Sequence, residues 1–258
     1  MKRILVLLAF ILAFATATVS TPFVKPPKGF DGKVYAGTLA LYGIRGEAVR
    51  FLCTATPYEK FDGGYKLISA GHCVELAPPD VTFAVADTIG GTLHPIVLVK
   101  ARYDGTGTDF STFNLFTTKK YPVAQLDDNR NLRIGDKTIN PNFGGGISKQ
   151  MSHGVISSDL VTKSLCSKQD CPYGFMVQQY GMQGSSGSLV YSERTHKAIG
   201  VVVYIFDGPI GLVIEPISGF KSFLDGPDQP RAEASKEPSE EDVEKELEQI
   251  LKEVLPQN

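Results

Sequence analysis

The chain has 258 residues, of which 42% are hydrophobic, 10% aromatic and 21% charged, and this composition is typical of a globular protein rather than of a disordered, collagen-like or coiled-coil chain. The formal net charge of -2 gives no reason to expect nucleic acid as a partner. The 26 glycines and 16 prolines favour short strands separated by many turns.

The first twenty residues predict a targeting segment. Two basic residues precede an uninterrupted apolar run from Ile4 to Ala15, and small residues follow it. This is the pattern of a secretory signal peptide. The alternative is a membrane anchor, but a bilayer span needs about 20 apolar residues and this run is shorter. We therefore expect residues 1–20 to be removed, which leaves an exported chain, secreted or periplasmic, with no stable membrane span.

The body of the chain consists of about a dozen short apolar or alternating runs. Residues 21–33 are rich in proline and glycine, and we expect them to be irregular. The predicted strands are 34–42, 48–54, 65–70, 81–86, 94–101, 111–116, 123–126, 138–140, 154–157, 174–177, 188–191, 198–205 and 212–214. Within the body, only 217–224 has a helical pattern. Strands of this number and spacing predict an all-β sandwich or a pair of barrels.

The end of the chain differs from the body in composition. Residues 226–258 contain ten Asp and Glu against four Lys and Arg, a net charge of -6. The composition of residues 226–238 predicts a polar linker. Ser239 resembles a helix N-cap, with a carboxylate three residues later. Apolar residues fall on one helical face from 239 to 255, which predicts an acidic amphipathic helix. Its apolar face needs a partner, either the body, a second copy of the chain or another protein.

Four cysteines in an exported chain indicate two disulfides. Cys53 and Cys73 lie in two strand-like segments, whereas Cys166 and Cys171 bracket a short polar loop, and we pair them in that order. The alternative is a metal site. No CxxC motif occurs, and a histidine next to Cys73 is too little for a zinc cage.

The segment Ala70-Gly71-His72-Cys73 is the first of three with catalytic potential. A predicted strand ends there, and a turn at the glycine presents His72 beside a cysteine that we expect in a disulfide. A histidine held in this way is a candidate general base. The other three histidines of the chain have no such context, and we interpret them as structural or solvent-facing.

The second segment is the run 181–190, which is rich in glycine and serine. Its glycines let backbone N–H groups converge on one point, as an oxyanion hole requires. Ser186 lies among them and is followed by an apolar strand. Alone, this run would be interpreted as a flexible turn, because such runs are common.

The third segment places Asp109 in an otherwise apolar strand. A buried carboxylate is costly unless it is paired, and an imidazole would be a suitable partner. The alternative is that Asp109 caps the end of the turn at 104–108.

In the order His72, Asp109, Ser186, the three segments resemble the histidine, aspartate and serine boxes of the chymotrypsin-like (trypsin-like) serine peptidases. In that family the cysteine of the histidine box pairs with one on the preceding strand, here Cys53. The resemblance covers residues 34 to about 224. It is closer to the bacterial and viral branches, because Ser185 precedes the nucleophile where pancreatic-type enzymes have Asp.

The resemblance implies an all-β fold of two six-stranded antiparallel β-barrels within a peptidase domain at 21–225. The first barrel would span about 34–118 and the second about 121–217, with a closing helix at 217–224. The histidine and aspartate would come from the first barrel and the serine from the second. The site would therefore lie in the cleft between the barrels.

The resemblance also implies a serine endopeptidase that acts on protein or peptide substrates and needs no metal and no cofactor. Ser186 Oγ would attack the peptide carbonyl, and His72 would take its proton and later pass it to the leaving amine. Asp109 would orient the imidazole. The backbone N–H groups of Gly184 and Ser186 would bind the oxyanion.

Two neighbouring residues are second choices for these roles. Asp104 lies in a glycine-rich turn, and Ser185 has the wrong offset from Gly187 for the serine box. Two other classes of function also remain open. One is a catalytically inactive binding module on the same scaffold, and the other is an adaptor that acts through its tail helix. Inactive relatives usually lose a member of the triad, whereas this chain keeps all three.

By alignment with the family, Tyr180 would lie at the base of the primary substrate pocket, and Ile205 and Gly211 would line its walls. Val203 stands where glutamyl endopeptidases place a histidine. Because no acid lies at the base and Ile205 is bulky where deep pockets have glycine, we expect a shallow apolar pocket. It should prefer small or medium aliphatic side chains.

Activation is expected to differ from that of pancreatic-type enzymes, in which a freed N-terminal amine is buried against the Asp before the nucleophile. Ser185 has no charge to compensate a buried ammonium, and the sequence before the first strand has no recognisable activation site. We expect the oxyanion loop to be ordered by its own glycines and by hydrogen bonds from Ser185 or Gln183. Removal of the signal peptide alone should then give an active enzyme.

Overall fold

The computed structural model describes residues 25–103, 108–129, 131–161, 174–205 and 211–227, and for 159–161 it describes the backbone only. The predicted signal peptide, the turn with Asp104, the pair Cys166 and Cys171, and the predicted tail helix at 239–255 lie outside the described residues. So does the predicted linker beyond its first two residues.

Six strands close into the first barrel. They are β1 (Leu39–Arg45), β2 (Ala48–Phe61), β3 (Gly64–Ser69), β4 (Thr82–Ala86), β5 (His94–Tyr103) and β6 (Asp109–Phe116). Around the barrel the order is β1-β2-β3-β6-β5-β4, and every pair is antiparallel. Fully buried side chains such as Leu67, Phe113 and Leu115 fill its interior, which explains the alternation of apolar residues along the strands.

Six further strands close into the second barrel. They are β7 (Lys137–Asn142), β8 (Gln150–Val161), β9 (Gly174–Gln178), β10 (Leu189–Ser192), β11 (Ala198–Ile205) and β12 (Gly211–Pro216). The order is β10-β11-β12-β9-β8-β7, again with antiparallel pairs. The predicted all-β fold of two six-stranded antiparallel barrels is confirmed.

Residues 25–28 are irregular as predicted, residues 21–24 lie outside the described part of the chain, and the predictions that 29–33 is irregular and that a strand begins at residue 34 are wrong. Residues Gly29–Ala36 form a helix, α1, and β1 begins only after it. The helix is held by its packing: the Phe30 ring stacks on His196 with 4.3 Å between centroids and meets Tyr191 edge-on. Thr38 Oγ1 also donates to the Val34 carbonyl at 2.8 Å. Tertiary contacts therefore make a helix of a glycine-containing segment with low helix propensity.

The predicted strand at 123–126 does not form either, apart from an isolated bridge between Leu126 and Ala198. Its backbone bonds go to both barrels, because the Ala124 N–H donates to the Pro57 carbonyl at 2.8 Å and the Gln125 carbonyl accepts from Ala198 N–H at 2.7 Å. The segment is thus the connection between the barrels rather than a member of either sheet.

Two further α-helices and a short 3-10 helix at Gly144–Gly146 complete the described fold. The one-turn helix α2 (His72–Glu75) follows β3, so the prediction of a single helix in the body is wrong. The predicted helix at 217–224 is observed as α3 (Ile217–Asp225). Its Phe220 and Phe223 pack against Phe110 of the first barrel, so α3 fastens the two barrels together. Within the described ranges, no helix has the length and hydropathy to cross a membrane.

Candidate active site

His72 and Asp109 are joined by two hydrogen bonds. His72 Nδ1 lies 2.7 Å from Asp109 Oδ2, and the backbone N–H of His72 donates to Asp109 Oδ1 at 2.8 Å. Asp109 is 2% exposed, whereas the side chain of His72 keeps 20% of its exposure. The carboxyl group therefore fixes both the ring and the backbone of the histidine, and the imidazole edge remains accessible.

The local backbone explains how His72 reaches this position. It is the first residue of α2, which begins directly after Gly71. A Cβ at Gly71 would collide with the backbone carbonyl of Arg102, so only glycine lets the chain approach β5 this closely. The predicted disulfide between Cys53 and Cys73 is confirmed, with the Cα atoms 6.3 Å apart, and it ties α2 to β2.

Asp109 has a second buried carboxyl group next to it. Its backbone N–H donates to Glu215 Oε2 at 2.6 Å, and Glu215 is 3% exposed. Glu215 is on β12 of the second barrel. The aspartate is therefore positioned by contacts from both barrels.

The serine box packs against the first barrel. The backbone N–H of Thr54 on β2 donates to the Ser186 carbonyl at 2.9 Å. At Gly187 the backbone φ is +80°, and a Cβ would collide with Ser69 Oγ and the Thr54 carbonyl. This glycine allows the box to approach the end of β3, three residues before His72.

Two backbone N–H groups of the serine box, those of Gly184 and Ser186, donate no hydrogen bond within the described residues. Gly184 has a φ of +93°, and its carbonyl accepts from Thr54 Oγ1 at 2.8 Å. The preceding carbonyl, of Gln183, accepts from the Gly145 N–H at 2.7 Å. Both carbonyls are thus anchored, and the two N–H groups are left available, as an oxyanion hole requires.

The loop is also held by the residue before the serine. Ser185 is completely buried. Its Oγ accepts from the Met182 N–H at 3.1 Å and donates to Asn142 Oδ1 at 3.0 Å. The expectation that hydrogen bonds from Ser185 or Gln183 order this loop agrees with these contacts of Ser185.

The hydrogen bond between Ser186 and His72 is not formed in this structure, because neither Ser186 Oγ nor His72 Nε2 has a hydrogen-bond partner among the described residues. In uncomplexed enzymes such bonds are often long and shorten when substrate binds. The serine residue is partly exposed.

The predicted pocket residues have different environments. Tyr180 is 44% exposed, and its hydroxyl donates to Met182 Sδ at 2.7 Å. Ile205 and Gly211 are half-buried at the adjoining ends of β11 and β12. Val203 is 5% exposed and belongs to the main core. Three of the four therefore lie at one end of the second barrel, whereas Val203 packs in the core that also contains residues of the first barrel.

A cavity of the described residues lies elsewhere. It measures about 880 Å³ and is bounded by α1, the connection between the barrels and the His196 turn. His72, Asp109 and Ser186 do not line it, so the catalytic candidates lie in a separate region.

One group of potential metal ligands occurs among the described residues, and it overlaps the site. The ligand atoms of Cys53, His72 and Cys73 lie within 4.8 Å of one another. The two sulfurs are bonded to each other, so neither is a thiolate able to bind a metal.

Sequence reasoning missed the polar residues that surround the triad candidates: Thr54, Asn140, Asn142 and Glu215. All four are buried. A usable signal exists for Glu215, because it follows an apolar run just as Asp109 precedes one. For Asn140, the signal is its place at the end of the predicted strand 138–140, whereas Asn142 lies beyond that predicted strand and inside the observed one.

Comparisons with known proteins agree with the fold. No protein-family model matches the chain, and no curated protein matches it either. Among solved structures, the serine endoprotease from Yersinia pestis has a TM-score of 0.57 at 17% identity, over 78% of this chain and 67% of that one.

Two structures of the HtrA-type protease AlgW are similar in the same way. The one with a tripeptide has a TM-score of 0.59 at 17% identity, over 76% of this chain and 61% of that one. The one with a decapeptide has a TM-score of 0.60 at 16% identity, over 76% and 66%. The chain thus matches 61 to 67% of the length of these neighbours. Its fold is that of the chymotrypsin-like serine peptidases.

Proposed function

We propose that the protein is an exported serine endopeptidase that hydrolyses peptide bonds through an acyl-enzyme intermediate. Ser186 Oγ attacks the carbonyl carbon of the scissile bond while His72 takes the hydroxyl proton. His72 then delivers this proton to the leaving amine, and water hydrolyses the acyl-enzyme by the same steps in reverse order. Asp109 orients the imidazole and stabilises its charged form.

The observation that carries this proposal is the pair of hydrogen bonds from His72 to the buried Asp109, at 2.7 and 2.8 Å. A carboxyl group at Nδ1 leaves Nε2 as the nitrogen that can accept a proton. The unused N–H groups of Gly184 and Ser186 support the same reaction, because they can stabilise the charge that develops on the substrate oxygen.

Export is supported by the predicted signal peptide and by the disulfide between Cys53 and Cys73, since structural disulfides persist in oxidising compartments. The acidic helix predicted at 239–255 is proposed to associate with the body or with a second copy. Deleting residues 229–258 should then leave a folded, active peptidase whose oligomeric state or localisation is changed. Unfolding of the shortened chain would show that the helix belongs to the core.

Hydrolysis of a casein-type substrate tests the function. His72→Ala should lower kcat by about 10⁴–10⁶-fold, because the triad acts as a unit. Asp109→Asn should lower it about 10⁴-fold, as in the well-studied member of this fold. His153→Ala is the matched control, because His153 is exposed and its ring contacts the Glu193 carboxyl group at the surface. Full activity of His72→Ala would refute the triad, and an inert wild-type protein would favour the inactive binding module.

A further inference from the structure

Four buried polar side chains form a closed ring of hydrogen bonds that joins the serine box to β7. Its members, called here the polar ring, are Asn140, Asn142, Ser185 and Ser188, and each is at most 1% exposed. The asparagines belong to β7. The serines lie on either side of Ser186 and Gly187.

Each link of the polar ring has a defined donor and acceptor. Ser185 Oγ donates to Asn142 Oδ1 at 3.0 Å, and Asn142 Nδ2 donates to Asn140 Oδ1 at 2.7 Å. Asn140 Nδ2 donates in turn to Ser188 Oγ at 2.8 Å. Ser188 Oγ then donates to the Ser185 carbonyl at 2.6 Å, which closes the ring.

Further bonds fix the orientation of both amides. Asn142 Oδ1 also accepts from the Gly144 N–H at 2.7 Å, so rotating this amide would turn its NH₂ group toward two donors. Asn140 Nδ2 also donates to the Leu189 carbonyl at 2.9 Å. Because every group is buried, a broken link leaves an unpaired polar atom away from water.

The polar ring lies next to the two N–H groups that would bind the oxyanion. Its two serines hold the segment that carries Ser186 at both ends, and the unused N–H groups of Gly184 and Ser186 lie within or next to that segment. We propose that Asn140 and Asn142 are positioning residues that hold these two N–H groups in the orientation that binds the oxyanion. This inference rests on the proposed peptidase function. The polar ring orders the loop from within the second barrel and without a charged pair.

The test is Asn142→Asp in the full chain. The substitution keeps the shape of the side chain and an acceptor for Ser185 and Gly144, but it replaces the donor to Asn140 Oδ1 by a second acceptor. Asn131→Asp is the matched control, because it makes the same change at an exposed turn position before β7. Circular dichroism and thermal unfolding verify that each variant is folded.

We expect Asn142→Asp to lower kcat about 10- to 100-fold, with KM changed less than about threefold, because displacing an oxyanion donor weakens transition-state binding. The affinity for a peptide aldehyde, which forms a tetrahedral adduct, should fall in parallel with kcat. The affinity for a product peptide should not change. The difference in kcat/KM between wild type and Asn142→Asp should also become smaller at low pH. There the new carboxyl group is protonated and can again donate to Asn140.

Hydrogen exchange of residues 180–189 supplies a readout that does not depend on catalysis. Asn142→Asp should accelerate it at least tenfold, and Asn131→Asp should leave it unchanged. Unchanged exchange together with unchanged aldehyde affinity would overturn the proposal. If the wild-type protein is not a peptidase, the exchange data still decide whether the polar ring orders this loop.

A milder variant keeps the proposal falsifiable if Asn142→Asp does not fold. Ser188→Ala removes two links of the polar ring and leaves the Leu189 carbonyl as an acceptor for Asn140. We expect a three- to tenfold loss of kcat and faster exchange of 180–189. Wild-type values for both would contradict the proposal.

Discussion

The backbone N–H of Asp109 donates a hydrogen bond of 2.6 Å to Glu215 Oε2, and both side chains are buried. These residues are 106 positions apart in the chain and belong to different barrels. The contact therefore makes the position of Asp109 depend on how the two barrels pack against each other. Because Asp109 holds His72, the position of His72 depends on this packing as well.

Glu215→Leu should lower kcat about tenfold or more with little change in KM, because it leaves the N–H of Asp109 buried without this acceptor. Glu215→Gln retains an acceptor oxygen, so its kcat should fall much less. A low-field proton resonance from the His72 Nδ1–H should shift in the leucine variant. Glu193→Leu is the control, since Glu193 is partly exposed and lies far from Asp109 in the chain. Equal activity of the leucine and glutamine variants would contradict this role.

Lys149 provides a pH-dependent test of the packing of α1 on the second barrel. Its Nζ donates to the Tyr35 carbonyl at 3.1 Å and lies 5.4 Å from the centre of the Phe143 ring. Burial lowers the pKa of Lys149 to about 8, whereas an unfolded lysine titrates near pH 10.4. Between these values the unfolded chain binds more protons, so this group makes the protein more stable as the pH rises.

The wild-type protein should therefore gain about 2 kcal/mol of stability between pH 8 and pH 10 relative to Lys149→Met. Urea unfolding at several pH values measures this difference. Lys137→Met is the matched control, because Lys137 is exposed and should show no such trend. A difference between wild type and Lys149→Met that is independent of pH would mean that the ammonium is not desolvated in the folded protein.

The sequence predicts most of the barrels because their strands alternate between a filled interior and the outside. The run 198–205 is observed as a strand with these bounds. The helix α1 could not be predicted, because Phe30 is held by a stacking partner, His196, that is distant in the chain. The roles of Asn142 and Glu215 could not be predicted for the same reason, because their partners, Ser185 and Asp109, lie 43 and 106 residues away. The local signal at Glu215 marks a polar residue beside an apolar run but does not identify its partner.

The preference for the side chain before the cut should depend on the predicted pocket residues at one end of the second barrel. Because Ile205 and Tyr180 place bulky side chains there and no acid is among the predicted pocket residues, a peptide library should be cut after small or medium aliphatic side chains. Ile205→Gly should widen the pocket and raise kcat/KM for larger residues about tenfold, the scale of one or two methylene groups. A preference of the wild-type enzyme for Arg, Lys or Glu would contradict this pocket.

Activation should need no new N-terminus. Ser185 is already satisfied by Met182 and Asn142, so the loop requires no buried ammonium. A chain that begins at Thr21 behind an uncleavable tag should therefore turn over substrate as fast as the untagged chain. Activity that appears only after cleavage near Val34 would show that the loop is ordered in another way.

Covalent labelling by a fluorophosphonate tests the central claim most directly, because the reagent reacts with an activated serine next to an oxyanion hole. We predict one adduct per chain, mapped by mass spectrometry to Ser186 and absent in Ser186→Ala. Ser185→Ala should still be labelled, about tenfold more slowly, because it loses hydrogen bonds but not the nucleophile. An unlabelled wild-type protein, or an adduct on Ser185 that persists in Ser186→Ala, would contradict the account.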